Sequence, residues 1–113
     1  AWIADENDMD AVTAVSGSGP AYVFLLAECL AAAGEAAGLS PELATQLARA
    51  TVSGAGELLA RSQESSETLR RNVTSPGGTT AAALAVLMAE AGVPDLMKAA
   101  VAAAAARSRE LAS

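Results

Sequence analysis

Apolar positions along the chain recur at three- and four-residue spacing, and glycine, proline and serine interrupt them at intervals. The pattern predicts helices throughout. Runs of alternating β-branched residues are absent, so no segment reads as a strand. Glu6–Val15 predicts a short helix with Met9, Val12 and Val15 on one side, ended by a turn at Ser16-Gly17-Ser18-Gly19. Pro20 opens a second helix to about Ala37, apolar nearly all round and interrupted only by Glu28 and Glu35. Ser40-Pro41-Glu42 combines a cap, a proline in the first turn and an acid near the positive helix end, so it starts a third helix that runs to about Arg61. Leu43, Leu47, Ala50, Gly54 and Leu58 form a seam on it, where two helical glycines suit a closely approaching neighbour. Shorter helices follow at Ser66–Asn72 and from Thr80 to Glu90, the latter ended at Gly92. Pro94-Asp95 starts the last helix, with acid first and Arg107 and Arg109 last. The prediction is one all-α domain over residues 1–113, a helical bundle of five or six helices.

Composition changes this picture in one respect. The chain has 113 residues and is 52% hydrophobic, but 30 of those residues are alanine and aromatics make up 3%. Alanine buries little area, so thirteen leucines and eight valines must supply most of the core. An all-round apolar helix at Pro20–Ala37 therefore calls for a second subunit, and an intertwined homodimer is expected. Cys29, mid-helix, reads as a small buried hydrophobe.

Charge and residue inventory exclude several chemistries. The net charge is −6 and the basic residues are scattered, which disfavours nucleic acid and anionic membranes as partners. The chain has no histidine and one cysteine, so histidine-dependent triads, His/Cys zinc sites and an internal disulfide are ruled out, and no metal site is expected. The longest uncharged apolar stretch is Pro20–Ala27, and even read through Glu28 it ends near Gly34, too short to span a bilayer. The N-terminus is acidic and lacks the basic start of a signal peptide. A cytoplasmic setting is expected. The chain starts without Met, and the expectation is that an upstream half has been removed.

Two glycine-containing stretches carry candidate chemistry. Gly17-Ser18-Gly19 is not a dinucleotide fingerprint, because position 22 is Tyr22 and no strand precedes it. Thr74-Ser75-Pro76-Gly77-Gly78-Thr79-Thr80 carries hydroxyls and glycines and leads directly into a helix. Glycine amides, a helix start and hydroxyl donors suit a small anion, and the lack of Lys or Arg favours a monoanion over a polyphosphate. A plain capped turn, with Thr79 or Thr80 as the N-cap, remains open on these grounds.

Asp10-Ala11-Val12-Thr13-Ala14-Val15-Ser16-Gly17-Ser18-Gly19-Pro20-Ala21-Tyr22 and Val73-Thr74-Ser75-Pro76-Gly77-Gly78-Thr79-Thr80, with the closing Arg107-Ser108-Arg109-Glu110-Leu111, resemble the signature stretches of pyrroline-5-carboxylate reductases. The resemblance covers about Asp5 to Leu111. It implies the C-terminal helical domain of an enzyme that reduces 1-pyrroline-5-carboxylate to L-proline with NADPH or NADH. It also implies a homodimer that can assemble into a decamer, and an N-terminal Rossmann domain that this chain lacks. By the same resemblance, Ser75, Gly77, Gly78, Thr79 and Thr80 hold the substrate carboxylate. Thr80 faces the ring nitrogen as a hydrogen-bonding or proton-relay residue, and Asn72 lies near the nicotinamide. Without the cofactor domain the chain alone is expected to be inactive. The alternative is a stand-alone helical dimerisation scaffold.

Overall fold

The computed structural model describes residues 6–113, with side-chain placement from residue 8 onward. Six α-helices follow one another: α1 (Glu6–Val12), α2 (Gly19–Ala36), α3 (Pro41–Arg61), α4 (Ser66–Asn72), α5 (Thr79–Leu87) and α6 (Val93–Ala112). Among the described residues there is no strand. The chain divides into two compact units. One comprises Ala21–Val73, and the other comprises the described residues up to Pro20 together with Thr74–Ser113.

The cap of α3 is the one the sequence announces, and α4 is capped in the same way. The Ser40 hydroxyl accepts from the Leu43 amide at 3.2 Å, and Ser65 accepts from the Thr68 amide at 3.1 Å. Glu42 and Arg61 sit at the favourable ends of the α3 dipole, as Asp95 and Arg109 do on α6.

In the Ala21–Val73 unit, α2 and α3 form a hairpin. It turns at Gly38, whose φ of 109° is open to glycine and costly for other residues. The two helices approach closely where Gly34 faces Ala44: a Cβ on Gly34 would stand 3.3 Å from that of Ala44. Ala44 and Ala48 are buried, one turn apart on α3. The predicted leucine seam points elsewhere. Leu43, Leu47 and Leu58 are exposed, and a Cβ on Gly54 would meet nothing within 4 Å. The methyl face of α3 packs within the chain, and its leucine face is left uncovered. Cys29 is likewise exposed in the single chain, against the expectation of burial.

In the other unit, α6 packs against α1 and the segment that follows it. The Ser108 hydroxyl donates to the Asp10 carboxylate at 2.6 Å across 98 residues of sequence. The predicted turn at Ser16–Gly19 does not form. The backbone stays helical with one widened π turn at Thr13–Gly17, closed by the Ser18 amide on the Thr13 carbonyl at 2.9 Å. The Ser16 hydroxyl donates back to the Val12 carbonyl, a bond that favours bending over termination. Pro20, in the first turn of α2, has no amide to leave unsatisfied. The π turn buries Ala14 completely.

The expectation that no apolar stretch is long enough to span a bilayer does not hold. Helical backbone runs 29 residues from Asp8 to Ala36, long and apolar enough by length and composition to cross a membrane. A core helix of a soluble protein has the same profile of length and composition.

α5 stops at Leu87 rather than Glu90, and Gly92 serves as the N-cap of α6. Ala91 takes a left-handed φ of 63°, with its amide held by the Asp95 carboxylate at 2.7 Å. Gly92 is needed for space: a Cβ there would stand 2.3 Å from the Leu87 carbonyl oxygen.

Candidate functional site

The candidate site is built on the link from α4 into α5. Asn72 is the last residue of α4 and is exposed; it belongs to the Ala21–Val73 unit, whereas Ser75–Thr80 belong to the other. Ser75-Pro76-Gly77-Gly78 then makes a tight turn, with the Gly78 amide donating to the Ser75 carbonyl at 3.0 Å. Proline at the second position and Gly77 at the third, with φ 71°, are what a type II turn requires. A Cβ on Gly78 would stand 3.2 Å from the Ser75 carbonyl oxygen, a tight contact.

Gly78 is also the N-cap of α5, in extended conformation. Neither Thr79 nor Thr80 is the cap, so the plain capped turn does not form. Among the described residues no side chain caps this helix start. The helical ladder begins with the Ala82 amide on the Gly78 carbonyl at 3.2 Å. The amides of Thr79, Thr80 and Ala81 precede it and have no intrahelical acceptor. Ser75, Gly77 and Thr79 are exposed, and Gly78 and Thr80 are half-buried. The segment Ser75, Gly77, Gly78, Thr79 and Thr80 thus carries three hydroxyls and leads into the positive end of α5, where three amides lack an intrahelical acceptor. It carries no formal charge. Such a cup can hold one carboxylate by neutral donors and offers no counter-charge to a polyphosphate.

Gly17-Ser18-Gly19 cannot cradle a pyrophosphate, since its residues are taken up in the π turn and the start of α2. Among the described residues no group of acidic or cysteine side chains could hold a metal ion.

A second feature escaped the reading of the sequence. In the α2–α3 hairpin, a groove of about 740 Å³ is lined by apolar side chains together with Glu28, Glu35 and Arg49. The signal lies in the hairpin register: once Gly34 faces Ala44, Arg49 on α3 falls between the levels of Glu28 and Glu35 on α2.

Residues 6–111 match the family model described as pyrroline-5-carboxylate reductase dimerisation. The chain is 50% identical over 111 residues to a pyrroline-5-carboxylate reductase of Pseudomonas aeruginosa, covering 98% of this chain and 40% of that protein. It is 52% identical over 108 residues to one of Arabidopsis thaliana, covering 96% and 39%. The chain therefore spans about 40% of the length of these relatives. Among solved structures, a pyrroline-5-carboxylate reductase of Coxiella burnetii superposes with a TM-score of 0.90 at 42% identity, over 97% of this chain and 40% of that one. A pyrroline carboxylate reductase of Plasmodium falciparum with NADP bound gives 0.87 at 40% identity, over 97% and 42%. A match across nearly every described residue, with the all-helical fold common to both, leaves one assignment: the chain belongs to the pyrroline-5-carboxylate reductase dimerisation family.

Proposed function

We propose that this chain is the helical, dimerising and substrate-binding part of an enzyme that reduces 1-pyrroline-5-carboxylate to L-proline. Two copies pair through the apolar surfaces that one copy leaves exposed. The Ser75–Thr80 segment holds the substrate carboxylate through the amides of Thr79, Thr80 and Ala81 and the hydroxyl of Ser75. The Thr80 hydroxyl then faces the ring nitrogen, which gains a proton as the C=N bond is reduced. The observation that carries the reading is the α5 N-terminus, uncapped by any described side chain and displayed by a turn with no formal charge.

The reduction takes its hydride from NADPH or NADH. The described residues offer no phosphate-cradling loop after a strand, so they do not form a dinucleotide site by themselves. This chain's contribution to holding that cofactor would be Asn72, beside the nicotinamide. What the chain's own residues do is orient: a fixed carboxylate aligns the imine carbon and nitrogen, and positioning is the larger part of such a catalyst's work.

The test is proline binding to the chain, followed by ligand-observed NMR. Gly78→Val crowds the Ser75 carbonyl, and Thr80→Ala removes a hydroxyl. Each should weaken binding by roughly tenfold, the scale of one hydrogen bond to a charged group. Two variants that bind proline as the parent does would remove the segment from the substrate site.

A further inference from the structure

The groove between α2 and α3 lies wholly within the Ala21–Val73 unit, and its charges are left over. Its apolar wall includes Val23 and Phe24, 43% and 68% exposed, and its rim carries Glu28, Glu35 and Arg49. The ion pairs at Glu57–Arg61, Glu67–Arg71 and Arg107–Glu110 lie elsewhere, each closed within one helix. Arg49 shares a groove with two acids and is within 4 Å of neither. An apolar trough edged by both signs of charge is self-complementary. Under a twofold axis, the base of one copy meets the acids of the other and the reverse contact forms at the same time.

We propose that this groove is a contact between two copies of the chain, in which Arg49 of each copy pairs with Glu28 or Glu35 of the other and fixes the register of the helices. The proposal rests on the dimer put forward above and adds to it which charges select the pairing. Alanine-rich helix faces are nearly uniform and can slide past one another. Two symmetric ion pairs on a partly dry surface penalise every register that leaves a charge unmatched.

The experiment uses two charge-reversed forms of the chain, Glu28→Arg with Glu35→Arg, and Arg49→Glu. Helicity is followed by circular dichroism and association by sedimentation equilibrium. Each form alone should dissociate about tenfold or more readily than the parent, since like charges then meet across the axis. An equimolar mixture should recover the parent's association as a heterodimer, because all its cross-copy pairs are of opposite sign. A pairing inside one chain predicts no recovery on mixing, and that result overturns the proposal. So does association of either reversed form at the parent's strength. A parent that is monomeric at micromolar concentration overturns the dimer reading itself. A dimeric parent indifferent to these charges overturns only the groove.

Discussion

Ala91 and Gly92 are adjacent and behave oppositely. Ala91 holds a left-handed φ that a Cβ resists, and Gly92 occupies a space that a Cβ cannot share. Gly92→Ala should destabilise the chain by about 1–3 kcal/mol, the range for overpacking, since two carbonyl oxygens lie within 2.7 Å of the new atom. Ala91→Gly should stabilise it by up to about 1 kcal/mol, the relieved strain being partly offset by unfolded-chain entropy. Denaturant midpoints at equal slope would measure both. A glycine near residue 92 was readable from the sequence as a helix boundary. Its assignment to the start of α6 was not, because the deciding neighbours are backbone oxygens of Leu87 and Ala89, positioned only once α5 has ended.

Helix ends were legible wherever a cap is made by residues a few positions apart. Ser40 and Ser65 bond amides three residues on, so the bounds of α3 and α4 follow from local chemistry. Ser40→Ala should cost about 1 kcal/mol and lower the thermal midpoint, with no change in helix content at low temperature. The opposite case is Thr13–Gly17. Two glycines and two serines in four residues argue for a turn, yet the backbone stays helical because α6 closes over Ala14 and the Asp10–Ser108 bond ties α1 to α6. The α5 start is intermediate. Hydroxyls and glycines mark the segment, and only the backbone shows that Gly78 takes the cap and leaves the threonine amides outward.

For the whole molecule the controlling fact is how little one copy buries. The buried side chains among the described residues are Ala14, Ala44 and Ala48, whereas Leu26 and Leu30 on α2 are 56% and 41% exposed. Three methyl groups cannot offset the entropy of ordering such a chain. Folding should therefore be coupled to association, and the thermal midpoint should rise with protein concentration over the micromolar range. Leu26→Asp should abolish the dimer in sedimentation and reduce helicity together, because an unpaired charge on a buried contact costs several kcal/mol. A concentration-independent midpoint would mean that one copy is stable alone.

The sequence by itself determined the helical class, the cap of α3, the bounds of α4 and the need for more burial than one chain provides, and it marked the segment proposed to bind an anion. Each rests on residue composition or on partners three or four positions away. The tertiary structure alone decided that Ser16–Gly19 stays helical, that α3 packs by its alanines and bares its leucines, and that Glu28, Glu35 and Arg49 share a groove. Those outcomes depend on which distant segment lies against each helix, and helical periodicity fixes a face without naming its neighbour.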